Sequence, residues 1–510
     1  MKVRIRQQLS RRKRRIERRL DKFNLEGLEQ PMLTARNIHY EISERDRGIA
    51  HGGIGAIHAL ANRLGLAEAI DRRLVLFKIH LPYHESDHVL NIAYNALCEG
   101  TCLEDIELRR NDEVFLDALG ARRIPDPTTE GDFCRRFRDA GDIRCLQEAF
   151  HAVRKKVWAQ QPDAFLAQAI LDMDGTLVGT TGSCKQGMDI SYKGTWGYHP
   201  LLVTLANTGE TLSIVNRPGN RPSHEGAAAE ADRCMAVCFA GGFRKVLLRG
   251  DTDFSQTEHL DRWHADGRIQ FVFGYDNCPN LVDIAERLPP CAWTKLERPP
   301  RYQVATRPRQ RPTNVKDRVI KQRKFDTLRL QSEEVAEFNY QPTACRLTYR
   351  MVVVRKNISK EKGELRLYDE TRYFFYITND WVSEANEIVF CANDRCDHEN
   401  LIAQLHSGCR ALAAPVDNLE SNWAYMVMTG LAWDLKAWYA LMLPEGVGRH
   451  RESYQADKLM VLRLEFKTFV QSFVRLPCQI VRTGRRLVYR LLSWNPYQHI
   501  FFRLVDVLHC

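Results

Sequence analysis

Two short acidic strings constrain this chain more than any other feature: Leu171-Asp-Met-Asp-Gly-Thr176 and Leu247-Leu-Arg-Gly-Asp-Thr-Asp-Phe254. Each closes an apolar run with a carboxylate, so a buried strand would deliver the acid to the rim of a sheet. A third acid, Glu399, stands in Arg395-Cys-Asp-His-Glu-Asn-Leu-Ile402. Three acids suit phosphoryl transfer with two divalent cations held roughly 3.5–4 Å apart, one activating the attacking oxygen and the other stabilising the leaving one. Hard oxygen ligands select Mg²⁺ or Mn²⁺. Asp174, Asp251 and Glu399 are the expected catalytic and metal-holding acids, provided the fold gathers them. A strand-end Asp is also a common cap, and Asp-Gly a common turn.

The apolar pattern changes along the chain. Helical spacing recurs through Ile54–Leu64 and Val89–Leu97, so residues 31–160 are expected to form a helical domain, the block that would bind DNA ends if the chain handles DNA, with Thr128 or Thr129 capping a helix after Pro125 and Pro127. From about 165 the runs become strands. Ala164–Leu171 leads into the first acid, Leu201–Ala206 and Glu210–Val215 form a hairpin through Asn207-Thr-Gly209, residues 225–240 return to helix, and Lys245–Leu248 leads into the second acid. This order predicts an α/β core with a mixed sheet, its first part over 161–284 and its second, helical and carrying the third acid, over 379–444. Between them, proline-marked loops and the strands Arg346–Arg355 and Thr371–Thr378 predict a β-rich insertion over 285–378. Its cations from Arg307 to Lys324 form either a phosphate-contacting track or a solvated loop.

Net charge is +10, and its placement carries the information. Residues 1–23 sum to +9 and residues 446–510 to +7, leaving the middle at −6. Basic ends around an acidic middle suit a long polyanion gripped at its ends while carboxylates do chemistry. A basic arm over 1–30, with Arg11, Arg12, Arg14 and Arg15, and a basic helical region over 445–510 are therefore candidate DNA contacts. No apolar run is long enough to span a membrane and no signal h-region is present, so a cytoplasmic protein is expected. The 15 cysteines lack Cys-x-x-Cys spacing and read as reduced, mostly buried thiols.

Five strings in order carry a resemblance that covers nearly the whole chain: Leu171–Thr176; Tyr192-Lys-Gly-Thr-Trp-Gly-Tyr-His-Pro-Leu-Leu-Val203; Asn216-Arg-Pro-Gly-Asn-Arg-Pro-Ser-His224; Leu248–Phe254; and Asp397–Leu405 followed by Ala414–Leu419. In these the sequence resembles transposases of the insertion-sequence 1380 family, D-D-E enzymes with a ribonuclease-H-like core. The resemblance implies cleavage at terminal inverted repeats and strand transfer into target DNA, two ions per site, and a homodimer in synapsis. It places the acids on Asp174, Asp251 and Glu399, with Asp172 as a neighbour of the first and Asp253 incidental. Arg395 falls on the arginine of a tyrosine-arginine-glutamate-lysine signature. The tyrosine position holds Ala392 and the lysine position His406, whose phosphate contact would be weaker and pH-dependent. Arg217 and Arg221 are candidates to position the DNA backbone, against a rigid loop fixed by Pro218 and Pro222. Trp196 and Tyr198 read as core aromatics rather than base-stacking groups.

Asp172-Met-Asp174-Gly-Thr176 also matches the nucleophile string of haloacid-dehalogenase-like phosphohydrolases, in which the first Asp attacks phosphorus. The third reading is a DNA-binding protein that no longer catalyses.

Overall fold

The computed structural model describes residues 3–21, 35, 37–43, 45–80, 82–182, 184–298, 315–363, 365–484 and 486–508. Arg307, Arg309 and Arg311 of the expected basic track, with Pro299, Pro300, Pro308 and Pro312, lie outside the described residues.

The strand leading to the first acid, β1 (Gln168–Gly175), has a buried, largely apolar centre and sits inside the sheet, as its near-continuous apolar run requires. Antiparallel to it runs β2 (Leu201–Leu205), buried at all five positions, which turns through Asn207 and Gly209 into β3 (Glu210–Val215). The turn is held by Asn207, whose amide accepts from Ile170 N at 2.8 Å and donates to Gln168 O at 3.0 Å, and by Gly209 at φ +75°. On the other side β4 (Lys245–Gly250) and β5 (Ile269–Tyr275) run parallel to β1. The order β3-β2-β1-β4-β5, with an antiparallel hairpin and two parallel strands, is the expected ribonuclease-H-like sheet. β5 was not anticipated from the sequence.

The β-rich stretch does not stand apart from this core. It comprises β6 (Thr294–Lys295), β7 (Asp326–Tyr340), β8 (Tyr349–Lys362) and β9 (Leu365–Thr378), and β9 pairs antiparallel with β5 from Phe375↔Tyr275 to Thr378↔Val272. All nine strands form one mixed sheet, ordered β6-β7-β8-β9-β5-β4-β1-β2-β3.

Helices enclose the sheet. An N-terminal helix, α1 (Val3–Arg19), precedes a helical region that ends in α2 (Ala140–Trp158), capped by Asp139 accepting from Gly141 N and Asp142 N. The helix Pro127–Cys134 starts differently from expectation: Asp126 caps it through Thr129 N, with Pro127 in the first turn, so neither Thr128 nor Thr129 is the cap. Between the first and second acids comes α3 (Ala227–Ala240); after the second come α4 (Ala385–Asn393) and then α5 (Cys396–Ala403), which carries Glu399 and runs into a π turn at Gln404–Gly408. The chain breaks over 409–418 before α6 (Leu419–Leu441). That helix is buried around its whole circumference, as a helix apolar on every face must be. It packs on α2, on helix Glu85–Leu97 and on β3. Arg154 from α2 joins Glu210 of β3 at 3.0 Å and Asp434 of α6 at 2.6 Å, all three buried. The indoles of Trp158 and Trp438 satisfy Glu210 as well.

The two ends of the chain share one module. β10 (Cys478–Thr483) and β11 (Arg486–Leu491) form a hairpin whose first strand pairs with Gly48–Ile49, and Gly52 N and Gly53 N donate to Leu476 O and Val474 O. The last helix, α7 (Gln498–Leu508), packs on Ile54–Leu64 and α1. Among the described residues every cysteine is a free thiol, and no helix is long and apolar enough to cross a membrane.

Candidate active site

Residues on β1 and β4 pair at a constant offset, Gln168↔Lys245 through Asp172↔Arg249. Continuing that register brings Asp174, the penultimate residue of β1, level with Asp251, the residue that follows β4. Parallel neighbours therefore deliver both aspartates at the same sheet edge. Asp251 caps a short 3₁₀ turn, Thr252–Phe254, by accepting from Asp253 N at 3.0 Å. The turn lies against Gly274 of β5, where an added Cβ would meet Thr252 N at 2.9 Å.

The third acid approaches on α5. Arg395, at the cap of that helix, donates from Nη1 to Asp174 Oδ2 at 3.1 Å, and its Nη2 lies 3.8 Å from Glu399 Oε1. One guanidinium thus faces the first and third acids together. The Asp174 side chain is 17% exposed and that of Glu399 62%. Burial pushes the Asp174 carboxyl up to about 6, opposed by Arg395 and reinforced by Asp251. Burial also raises Asp251, with Arg395 opposing and Asp253 and Glu399 adding to the rise. Carboxylates that feel one another's charge around a single cationic side chain form an anionic site, the environment that divalent cations neutralise. Among the described residues no three His, Cys, Asp or Glu side chains already form a metal cage. Hard oxygens from Asp174 and Asp251 fit an ion that takes one or two carboxylates and fills its shell with water and substrate oxygens.

Asp172 has a different fate. It is buried, and Arg249 holds both its oxygens, Nε at 2.7 Å and Nη2 at 2.8 Å. Arg249 Nη1 also donates to Cys391 O at 2.9 Å, tying α4 to the sheet. A carboxylate locked in a buried bidentate pair is not free to attack phosphorus, which removes the nucleophile that the dehalogenase-like reading requires. Asp253 is exposed.

Several candidate contacts move to structural roles. Arg217 is buried and donates to the carbonyls of His199, Pro222, Ser223 and Glu225, so it pins the loop from inside instead of reaching phosphate; burial brings its guanidinium down to about 10. Arg221 is exposed, with Glu225 at 3.4 Å. His406 is half-buried in the π turn, and its Nε2 shares a hydrogen bond with Thr176 Oγ1 at 3.1 Å. That bond fastens the end of α5 to the string that carries Asp174, and burial lowers its pKa, so it is neither an exposed helix residue nor a lysine-like phosphate ligand. Tyr198 is core, its hydroxyl on Gln186 O at 2.8 Å, whereas Trp196 is 53% exposed, against expectation. In the N-terminal helix Arg12 binds the carbonyls of Leu491 and Ser493, while Arg11, Arg14 and Arg15 are exposed.

Residues that sequence reasoning missed are Arg249, Gly274 and His398. The last is buried between Asp397 and Glu399 in sequence, with neither ring nitrogen bonded and its pKa lowered to about 3 by burial, Arg395 and Arg249.

Acidic groups delivered by parallel neighbours of a β3-β2-β1-β4-β5 sheet, with a further acid on a helix beside them, define the D-D-E class of nucleic-acid-processing proteins. Residues 45–510 match the family described as transposase DDE domain group 1, and the chain belongs to that family: it is a DNA transposase. Among solved structures it is similar to a piggyBac transposase in a synaptic complex with hairpin DNA, at 12% identity and a TM-score of 0.38, over 84% of this chain and 83% of that one. Among curated proteins nothing matches.

Proposed function

We propose that this transposase is of the insertion-sequence 1380 type, and that Asp174, Asp251 and Glu399 are the acids that cut its element's ends and join them to target DNA. One observation carries the assignment: Asp174 and Asp251 leave neighbouring parallel strands in the same register, and Arg395 faces both Asp174 and Glu399. The substrates are the terminal inverted repeats of its own element and a target duplex, brought together by a homodimer.

Asp174 and Asp251 would hold two Mg²⁺ or Mn²⁺ ions, with Glu399 supplying the third carboxylate. When bound, the ions provide an activated attacking oxygen and stabilise the leaving one. The chain does the positioning. Arg395 and Arg221 orient phosphate oxygens, the Thr176–His406 bond holds α5 against β1, and the buried Asp172–Arg249 pair fixes the two aspartate-bearing strands. Water hydrolyses a phosphodiester at the element's end, and the freed 3′-hydroxyl attacks target DNA in line, releasing a 3′-hydroxyl from the target strand.

The test is incubation of the purified protein with duplexes carrying its own element's ends and Mg²⁺. Wild type should release the end and transfer it. Asp174→Asn, Asp251→Asn and Glu399→Gln should still retard the duplex while cleavage falls by at least about 10²–10³-fold. A variant that cuts at the wild-type rate removes its residue from the site.

A further inference from the structure

In α1, the side chains of Ile5, Leu9, Arg12 and Ile16 are half-buried while the rest are exposed, a single stripe at helical spacing. The helix carries nine Lys or Arg residues and one acid, Glu17, which lies 3.6 Å from Lys13. Like charges one turn apart, Arg11 with Arg15 and Arg14 with Arg18, work against the helix in isolation. Docking offsets that repulsion: Arg12 reaches across to Leu491 O at 3.0 Å and Ser493 O at 2.9 Å at the end of β11.

Between α1 and the C-terminal segment lies a cleft of about 740 Å³. Among the described residues four arginines line it, Arg11, Arg12, Arg15 and Arg490, and no acid does. Tyr489, Leu491 and Phe502 supply apolar surface. Arg12 is committed to carbonyls, but Arg11, Arg15 and Arg490 are exposed, and Arg486 lies on the same face of β11 as Arg490.

We propose that α1 and the β10–β11 hairpin together form a clamp for the sugar-phosphate backbone of duplex DNA, so that opposite ends of the chain build one binding site. This deepens the transposase reading and rests on it for the source of the DNA. The shape selects a long ligand over a compact anion. Exposed arginines continue along α1 to Arg4, Arg14 and Arg18, and a helix of 17 residues spans about 25 Å, the rise of about seven base pairs. Guanidinium groups strung over that length match successive phosphates.

The experiment is fluorescence anisotropy of the full chain with a labelled random-sequence duplex of about 30 base pairs, over a series of salt concentrations. Wild type should show log affinity falling linearly with log salt. Arg490→Gln alone should make the slope shallower by about 0.9, and Arg11→Gln with Arg15→Gln and Arg490→Gln by about 2.7, with at least about tenfold weaker binding at low salt. Arg268→Gln, an exposed arginine on the loop before β5, should keep the wild-type slope. A triple variant with the wild-type slope, or wild-type binding indifferent to salt, overturns the clamp. Cleavage of the element's ends by wild type is read separately. An unchanged slope with cleavage intact removes the clamp alone, whereas binding through the clamp by a chain that never cuts leaves the clamp standing and withdraws the transposase chemistry.

Discussion

Asp172 and Arg249 face each other across the β1–β4 ladder, two hydrogen bonds joining their buried side chains one pleat before the same strands deliver Asp174 and Asp251. The pair sets the register that the aspartates inherit. Removing one partner leaves a buried, uncompensated charge, at a cost of about 3–5 kcal/mol. Asp172→Ala should therefore lower the unfolding midpoint sharply, while Asp174→Ala should lower it far less. Asp172→Ala with wild-type stability and no cleavage would instead return Asp172 to the chemistry.

Gly274 gives the Asp251 turn its room. A Cβ there would sit 2.9 Å from Thr252 N and 3.1 Å from the carbonyl carbon of Asp251, and neither backbone atom can rotate away. Gly274→Ala should push the turn outward and reduce cleavage by about 10²-fold, the order expected for a displacement near 1 Å, with the fold retained. Wild-type cleavage by this variant, measured beside its circular dichroism, would show that the turn tolerates the shift.

Arg395 donates to Asp174 Oδ2, the oxygen that the proposed mechanism gives to a cation, and in that mechanism it also orients substrate phosphate. Arg395→Gln should split these roles: the Mg²⁺ concentration for half-maximal cleavage should fall several-fold as the carboxylate is freed, while the rate at saturating Mg²⁺ drops by about tenfold or more through lost phosphate contact. A Mg²⁺ requirement that rises instead would mean that Arg395 helps to hold the ions.

How much the sequence disclosed follows from what each signal measures. Apolar runs ending in Asp located β1 and β4, and Asn207-Thr-Gly209 located the β2–β3 hairpin, because strand burial and turn chemistry are local. β5 was missed: Ile269–Tyr275 lacks alternation and falls between the helices Leu260–Ala265 and Pro279–Arg287. Its pairing with β9, about a hundred residues on, is a non-local contact that no periodicity encodes. Period-2 alternation puts Asp172 and Asp174 on one side of β1, and only depth in the sheet separates the locked acid from the available one. Arg217 and Arg221 look equivalent in a proline-rich loop until one turns inward to four carbonyls. The module that joins Gly52 and Gly53 to Leu476 and Val474 spans most of the chain, beyond any linear pattern.

Lys436 offers a test of stability away from the acids. It is 1% exposed in α6, donates to Leu462 O at 2.8 Å and lies over the Trp433 ring at 4.1 Å. Burial brings its ammonium down to about 7 from an ordinary 10.5. Between those values the unfolded chain holds the proton and the folded one does not, so stability should climb as pH rises from about 7 towards 10 and be at its lowest below 7. Lys436→Met keeps the volume and removes the titration. It should abolish that climb and be more stable than wild type at pH 7 by on the order of 2–4 kcal/mol, less the hydrogen bond that Leu462 O gives up. Urea unfolding of both proteins at pH 7 and pH 9 decides it: if the methionine variant is the less stable of the two at pH 7, the ammonium is solvated or paired in the folded protein and its burial is not the governing term.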